Sequence, residues 1–172
     1  MAQVLETKRA DPKGLEKIRS KIGDHEPSYC YQCIKCTSGC PISRQLEGFN
    51  PHVFVAMTRM GFIDELINDK TIWACVTCLT CKERCPQDVA PSDIIRALTQ
   101  LAFEKGIDPP VAGLKVQFEN ILNKGFSRDF TWVEGEREDV EDLPELPKPP
   151  LDTIKAMLKR TTLKKWMEKR EE

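Results

Sequence analysis

The chain has 172 residues, 40% hydrophobic and 31% charged, with 26 Lys and Arg against 27 Asp and Glu for a formal net charge of −1. That length suits one domain, or a compact core with extensions that lie on partners, and is short for a large enzyme. The balanced charge excludes a dominant field steering the whole molecule to nucleic acid or anionic lipid, and the longest apolar runs, such as the five residues 53–57, are far below the ~20 of a membrane span.

Residues 1–14 are polar and charged, without the apolar stretch of a secretory signal, which predicts a cytoplasmic chain whose cysteines stay reduced. Residues 1–25 form an N-terminal extension with one predicted helix over 11–22, where Leu15, Ile18 and Ile22 recur at helical spacing. Residues 26–125 are expected to form the main domain. Every one of the eight cysteines lies in its first part. Asn50 and Pro51 open a helix that stops at Gly61, residues 62–68 form a shorter one, and Pro91 with Asp93 opens a third carrying Ile94, Ile95, Leu98, Leu101 and Ala102. A further helix is predicted over 109–124, with Asp108 as N-cap, Pro109 at its first position and Gly125 past its end. Its stripe is Val111, Leu114, Phe118, Ile121 and Leu122. Strand signals are nearly absent.

Beyond Gly125 the character changes. Residues 134–145 hold seven acidic residues against Arg137, and Pro144, Pro147, Pro149 and Pro150 favour an extended path without a core of its own. Residues 151–169 read as a final helix, and residues 155–170 hold seven basic residues against Glu168. Residues 126–172 are read as a tail that wraps a partner; a solvated, disordered tail is the competing reading.

The chemistry lies in a duplication. Cys30, Cys33, Cys36 and Cys40 recur 45 residues later as Cys75, Cys78, Cys81 and Cys85, and each run ends in proline, Pro41 and Pro86. C-x2-C-x2-C-x3-C-P is the ligand run of bacterial ferredoxins. Three thiolates at this spacing lie on one tight loop and can meet three corners of an iron–sulfur cube, while backbone N–H groups point at sulfur. The fourth corner must come from elsewhere. In two-cluster ferredoxins the fourth cysteine of each run crosses to the other cluster, so the expected sets are Cys30, Cys33, Cys36 and Cys85 for one [4Fe-4S] cluster and Cys75, Cys78, Cys81 and Cys40 for the other. Zinc has no use for the third cysteine and proline of each run. Disulfides are disfavoured by the expected reducing compartment, and a thioredoxin-type C-x-x-C needs a single motif in a βαβ setting.

Other residues carry weaker signals. His25 and His52 read as surface or capping residues, Trp73 as a shield for a cluster, and Lys35, Arg44, Lys82 and Arg84 as flanking cations that favour the reduced state or are simply solvated. No glycine-rich phosphate loop and no nucleophile with a paired base is present, so no substrate, nucleotide or flavin site is expected on this chain.

The run from Cys30 to Pro41, ending Cys-Thr-Ser-Gly-Cys-Pro, with Ile72-Trp73-Ala74-Cys75 leading to Arg84-Cys85-Pro86, resembles the C subunit of heterodisulfide reductase over residues 25–125. The resemblance implies a mainly α fold, a helical two-cluster ferredoxin-like domain followed by a largely irregular tail ending in a helix. It also implies a non-catalytic, cytoplasmic relay in an oxidoreductase complex of methanogenic archaea. Electrons would pass from the flavin-containing A subunit, fed by a hydrogenase or a formate dehydrogenase and expected to bifurcate them, to the catalytic B subunit. The latter carries CCG motifs, absent here, and reduces the disulfide of coenzymes M and B. Related iron–sulfur subunits serve lactate, glycerol phosphate and sulfur-metabolising enzymes, and the helical two-cluster domain of succinate dehydrogenase and fumarate reductase is similar. No partner is expected to be nucleic acid.

Overall fold

A computed structural model describes residues 9–110, 112–127 and 148–161, with the side chains of 112–115 outside the description. The chain is mainly helical, and the described residues contain no strand. Among them eight helices follow in order: α1 (Pro12–Arg19), α2 (Lys35–Ser38), α3 (Pro51–Arg59), α4 (Ile63–Asn68), α5 (Thr80–Glu83), α6 (Pro91–Glu104), α7 (Ala112–Lys124) and α8 (Leu151–Leu158). Two 3-10 turns, Pro27–Tyr29 and Lys70–Ala74, lead directly into Cys30 and Cys75. The residues fall into two compact units divided between Asp108 and Pro109.

In the first unit, prolines set where helices begin. Pro12, Pro51 and Pro91 each occupy the first helical position, where a missing N–H costs nothing and the fixed φ is already helical. Helix α6 is the centre of packing, touching α1, α3, α4, α5 and the turn Lys70–Ala74. Its Ile94, Ile95, Leu98, Leu101 and Ala102 are all buried, as their spacing predicts. Phe49 and Phe54 meet edge to face at 5.2 Å. Each large aliphatic side chain buried this way contributes about 1.5–3 kcal/mol.

The N-terminal segment belongs to the same body. Ile18 and Ile22 are buried, and α1 packs on α4 and α6. Asp11 caps α1 through its carboxylate, which accepts from Lys13 N–H at 3.0 Å, while Asp11 N–H donates to Gly61 O at 2.8 Å. Gly61 holds φ at +82°, and a side chain there would crowd that bond, its Cβ 3.3 Å from Asp11 N. The ion pairs Arg9–Glu65, Arg19–Glu26 and Lys21–Glu104 fasten the segment further. In the first unit α1 thus supplies core side chains, and in the second α7 contacts α8.

In the second unit, α7 begins at Ala112 rather than Pro109. Pro110 is the physical reason: a residue preceding proline is pushed out of the helical region. Gly125 ends α7 with φ at +78°, and a Cβ there would come 2.4 Å from Pro149 Cβ, so the glycine makes room for the chain leading into α8. Phe118, Ile121 and Leu122 are half-buried, and α8 buries no residue fully. Val111 and Leu114 of the expected stripe, the acidic stretch 134–145, and the helix expected beyond residue 161 lie outside the described side chains. Among the described residues, no helix is long and apolar enough to cross a membrane.

Candidate functional site

The two cysteine runs fold alike. Each is entered through a 3-10 turn capped by an acidic side chain: Glu26 accepts from Ser28 N–H at 3.0 Å and Asp69 from Thr71 N–H at 2.8 Å. Within the loops Gln32 and Ile34 take positive φ (61° and 65°), as do their counterparts 45 residues on, Thr77 and Leu79 (50° and 62°). A β-branched residue rarely adopts this region, at a cost on the order of 1–3 kcal/mol each. Each loop closes with a single helical turn, α2 or α5. Those two turns pack against each other.

This packing mixes the two runs. Cys40 of the first joins Cys75, Cys78 and Cys81 of the second around one cavity, about 340 Å³ of space with its open mouth included. The Tyr31 hydroxyl is pushed up first by desolvation and then by Cys33, Cys85 and Cys30, so Cys85 of the second run acts electrostatically on a tyrosine of the first. The remaining thiol, Cys36, lies near enough to Cys81 to oppose its ionisation. All eight cysteines are free thiols rather than disulfides.

Burial governs the state of these thiols. Desolvation is the leading cause that pushes Cys36 and Cys75 up, eased by the Thr37 hydroxyl and by the Thr77 backbone N–H respectively. Cys81 is pushed up to about 11, again by burial first, with the Ser92 hydroxyl opposing. Cys78 is exposed, and the Thr80 hydroxyl, 3.5 Å away, lowers it. Gln32 Nε2 donates to Cys30 Sγ at 3.1 Å, and Val89 N–H donates to Cys85 Sγ at 3.3 Å.

These surroundings fit an iron–sulfur cluster. The cavity offers four soft thiol donors among apolar side chains and hydroxyls, with no imidazole or carboxylate on its lining. Ser92 Oγ, on a residue only 2% exposed, lines the cavity without a hydrogen-bond partner of normal geometry. A cluster sulfide or thiolate there would accept its hydrogen. In a cubane each thiolate binds its own iron, so the sulfurs need not meet at a point; among the described residues no three His, Cys, Asp or Glu side chains converge on a single ion.

The flanking cations are mostly engaged. Arg84 lies across Gly39, where a Cβ would come 2.7 Å from Nη1, so the glycine of the first run admits an arginine of the second. Arg44 reaches Ser38 O at 3.4 Å and Lys82 reaches Asp93 at 2.8 Å, whereas Lys35 is exposed. Trp73 is buried with its ring edge-on to Phe103 at 5.0 Å, a core contact. His25 Nδ1 lies 2.7 Å from Asp88 O, and His52 Nδ1 lies 2.7 Å from Thr37 Oγ1. Ser92, Gln32 and Thr37 have no role readable from motif spacing; the only signal is their position, one or two residues from a cysteine or next to a helix-opening proline.

Residues 26–89 match the family model of the 4Fe-4S dicluster domain, so fold and donor set together define a helical dicluster domain carrying two [4Fe-4S] clusters. Over 100 residues the chain is 35% identical to the C subunit of the H2:CoB-CoM heterodisulfide,ferredoxin reductase of Methanothermobacter marburgensis, covering 58% of this chain and 53% of that one. It is 40% identical over 77 residues to the C2 subunit of the H2/formate:CoB-CoM heterodisulfide,ferredoxin reductase of Methanococcus maripaludis, covering 45% and 41%. It is also 37% identical over 94 residues to a protein of Archaeoglobus profundus named as like the C subunit of heterodisulfide reductase, covering 54% and 50%. The resemblance seen in the cysteine flanks is therefore to the C subunits of heterodisulfide reductases, and the chain spans about half the length of these curated relatives.

Proposed function

We propose that this chain is the electron-relay subunit of a heterodisulfide reductase complex, with one cluster held by Cys30, Cys33, Cys36 and Cys85 and the other by Cys75, Cys78, Cys81 and Cys40. The observation that carries the ligand sets is the position of Cys40 among the second run's thiols around one cavity; the electrostatic reach of Cys85 to Tyr31 of the first run agrees with it. When bound, such clusters take up and release single electrons at potentials tuned by hydrogen bonding and solvent exposure. The chain's own residues supply the frame. Cys40 and Cys81 are buried on the cavity lining, while exposed Cys33 and Cys78 present one edge of each site to the surface. Tyr31 and Ile34 stand exposed around the first edge, Val76 and Leu79 around the second. Two apolar-rimmed edges suit a relay that takes electrons from one protein and hands them to another.

In the full assembly the donor is the flavin-carrying A subunit, itself fed by a hydrogenase or a formate dehydrogenase, and the acceptor is the CCG-containing B subunit that reduces the CoM-S-S-CoB heterodisulfide. The names of the two methanogen relatives support this host. The tail at 126–172 serves as the clasp on the catalytic partner. The name of the Archaeoglobus relative, which says only that it is like that C subunit, favours keeping a second reading: the same relay beside a CCG protein of lactate, glycerol phosphate, succinate/fumarate or sulfur metabolism. Reconstituting the flavin and CCG partners with and without this chain tests the proposal. Heterodisulfide reduction should depend on the chain; turnover that is equally fast without it would contradict the relay role.

A further inference from the structure

Residues next to Cys30 and Cys36 converge on a single imidazole-bearing residue at the start of α3. His52 N–H donates to Thr37 Oγ1 at 3.2 Å, and its ring Nδ1 lies 2.7 Å from the same oxygen. Its carbonyl accepts from Gln32 Nε2 at 3.2 Å, and the second hydrogen of that amide goes to Cys30 Sγ at 3.1 Å. Three polar atoms of His52 are thus tied to the two residues that serve the first loop's sulfurs.

Thr37 has one hydroxyl hydrogen and two acceptors for it. Thr37 directly follows Cys36 in the chain, its hydroxyl works against the burial that pushes the Cys36 thiol up, and it faces the imidazole at 2.7 Å. If Nδ1 is bare, the hydroxyl donates to the ring and its hydrogen is not available to Cys36 Sγ. If Nδ1 carries a hydrogen, the ring donates to Oγ1 and the hydroxyl hydrogen is free to turn to sulfur. A hydrogen bond to a cluster thiolate favours the reduced, more negative state.

We propose that His52 is a positioning residue, acting through Thr37, that couples electron uptake at the cluster on Cys30, Cys33 and Cys36 to uptake of one proton. Reduction brings one electron from a reduced flavin or iron–sulfur donor and one proton from solvent to the imidazole; reoxidation releases both, and no bond to sulfur breaks. The proposal rests on the cluster reading above and adds what governs its potential. The second loop has no such device: 45 residues on, Thr37 is replaced by Lys82, bound to Asp93, and His52 by Ala97.

Charged groups on the elements around α3 are engaged with one another. On α4, Asp64 pairs with Lys105 and Glu65 with Arg9. On α6, Asp93 pairs with Lys82 and Arg96, and Glu104 with Lys21. Arg59, on α3 itself, donates to Cys30 O at 2.8 Å. Lys35 on α2 and Tyr29 in the turn against α3 are exposed. The other histidine, His25, sits with Asp88 and Asp93 beside the second run and serves as the internal control.

The test is the pH dependence of both midpoint potentials in the full chain, reconstituted anaerobically, reduced with dithionite and followed by electron paramagnetic resonance between about pH 5 and 8, where an imidazole titrates. One cluster should lose up to tenfold in its reduction equilibrium per pH unit of increase, about 59 mV for one electron. His52→Asn and Thr37→Val should flatten that slope. Thr37→Ser and His25→Asn should preserve it. Should His52→Asn fail to load, the Thr37→Val and Thr37→Ser pair still decides. A wild-type chain carrying two clusters that both show flat potentials, or a slope unchanged in the loaded His52→Asn or Thr37→Val chain, would overturn the proposal. Failure of the wild-type chain to form two clusters would instead count against the cluster reading itself.

Discussion

Gln32 and Ile34 in the first cysteine loop hold the same left-handed backbone as Thr77 and Leu79 in the second, and each loop is entered through an acid-capped 3-10 turn. The residues just beyond the third cysteine then part ways. The Thr37 hydroxyl lies 2.7 Å from the His52 ring, whereas Lys82 forms a salt bridge with the buried Asp93. Ligand geometry is set by the backbone, so duplication preserves it. Hydrogen bonding and charge around the sulfurs are set by side chains from neighbouring helices, which are free to differ. Two sites of one shape can therefore hold electrons at different energies.

The largest effect expected is common to both loops. Their four strained residues and their buried thiols are held against local preference, so stripping iron with a chelator under anaerobic conditions should unfold residues 26–90 in large part. Loss of helical circular dichroism would report it; an apo chain with an unchanged spectrum would mean the loops are self-supporting. Next comes Leu98→Ala on α6, the helix that touches both α3 and α5. A cavity at this fully buried site should cost about 2–5 kcal/mol, read from chemical denaturation, and should loosen both cluster signals together rather than one.

Smaller effects sharpen the contrast. Ile34→Gly and Leu79→Gly each relieve a positive φ and should shift unfolding by similar amounts, on the order of 1 kcal/mol; clearly unequal shifts would show that the loops are less alike than their backbones. Smallest is an acid effect confined to the first loop. Arg19, through its hydrogen bonds at 2.9 and 3.0 Å, holds the Glu26 carboxyl below its ordinary value. A depressed carboxylate contributes stability above its ordinary range, and that contribution disappears as pH falls through the folded-state value. Glu26→Gln should remove a small part of the acid sensitivity, measured as the pH dependence of the denaturation midpoint.

Much of this is legible in the residues alone. The cysteine duplication, the proline-opened helices α1, α3 and α6, and the buried stripe from Ile94 to Ala102 follow from spacing and local backbone rules. The start of α7 departs from expectation because Pro109 suits a first helical position, while the following Pro110 bars Pro109 from helical geometry. Nor does any local pattern join Ile18 to the core beside α4 and α6. The roles of Ser92, Gln32 and Thr37 depend on contacts made in space: Thr37 meets His52 across 15 residues, and Ser92 faces Cys40 and Cys75 across a cavity that folding creates.

The crossed ligand sets are tested most directly by removing one thiolate from each run. Cys85→Ser and Cys40→Ser chains, isolated anaerobically, would be assayed for iron and by electron paramagnetic resonance. Crossing predicts that Cys85→Ser damages the cluster built on Cys30, Cys33 and Cys36 and spares the one on Cys75, Cys78 and Cys81, with Cys40→Ser doing the reverse. If Cys85→Ser destroys only the cluster of its own run, each loop ligates its own iron and the crossed assignment is wrong.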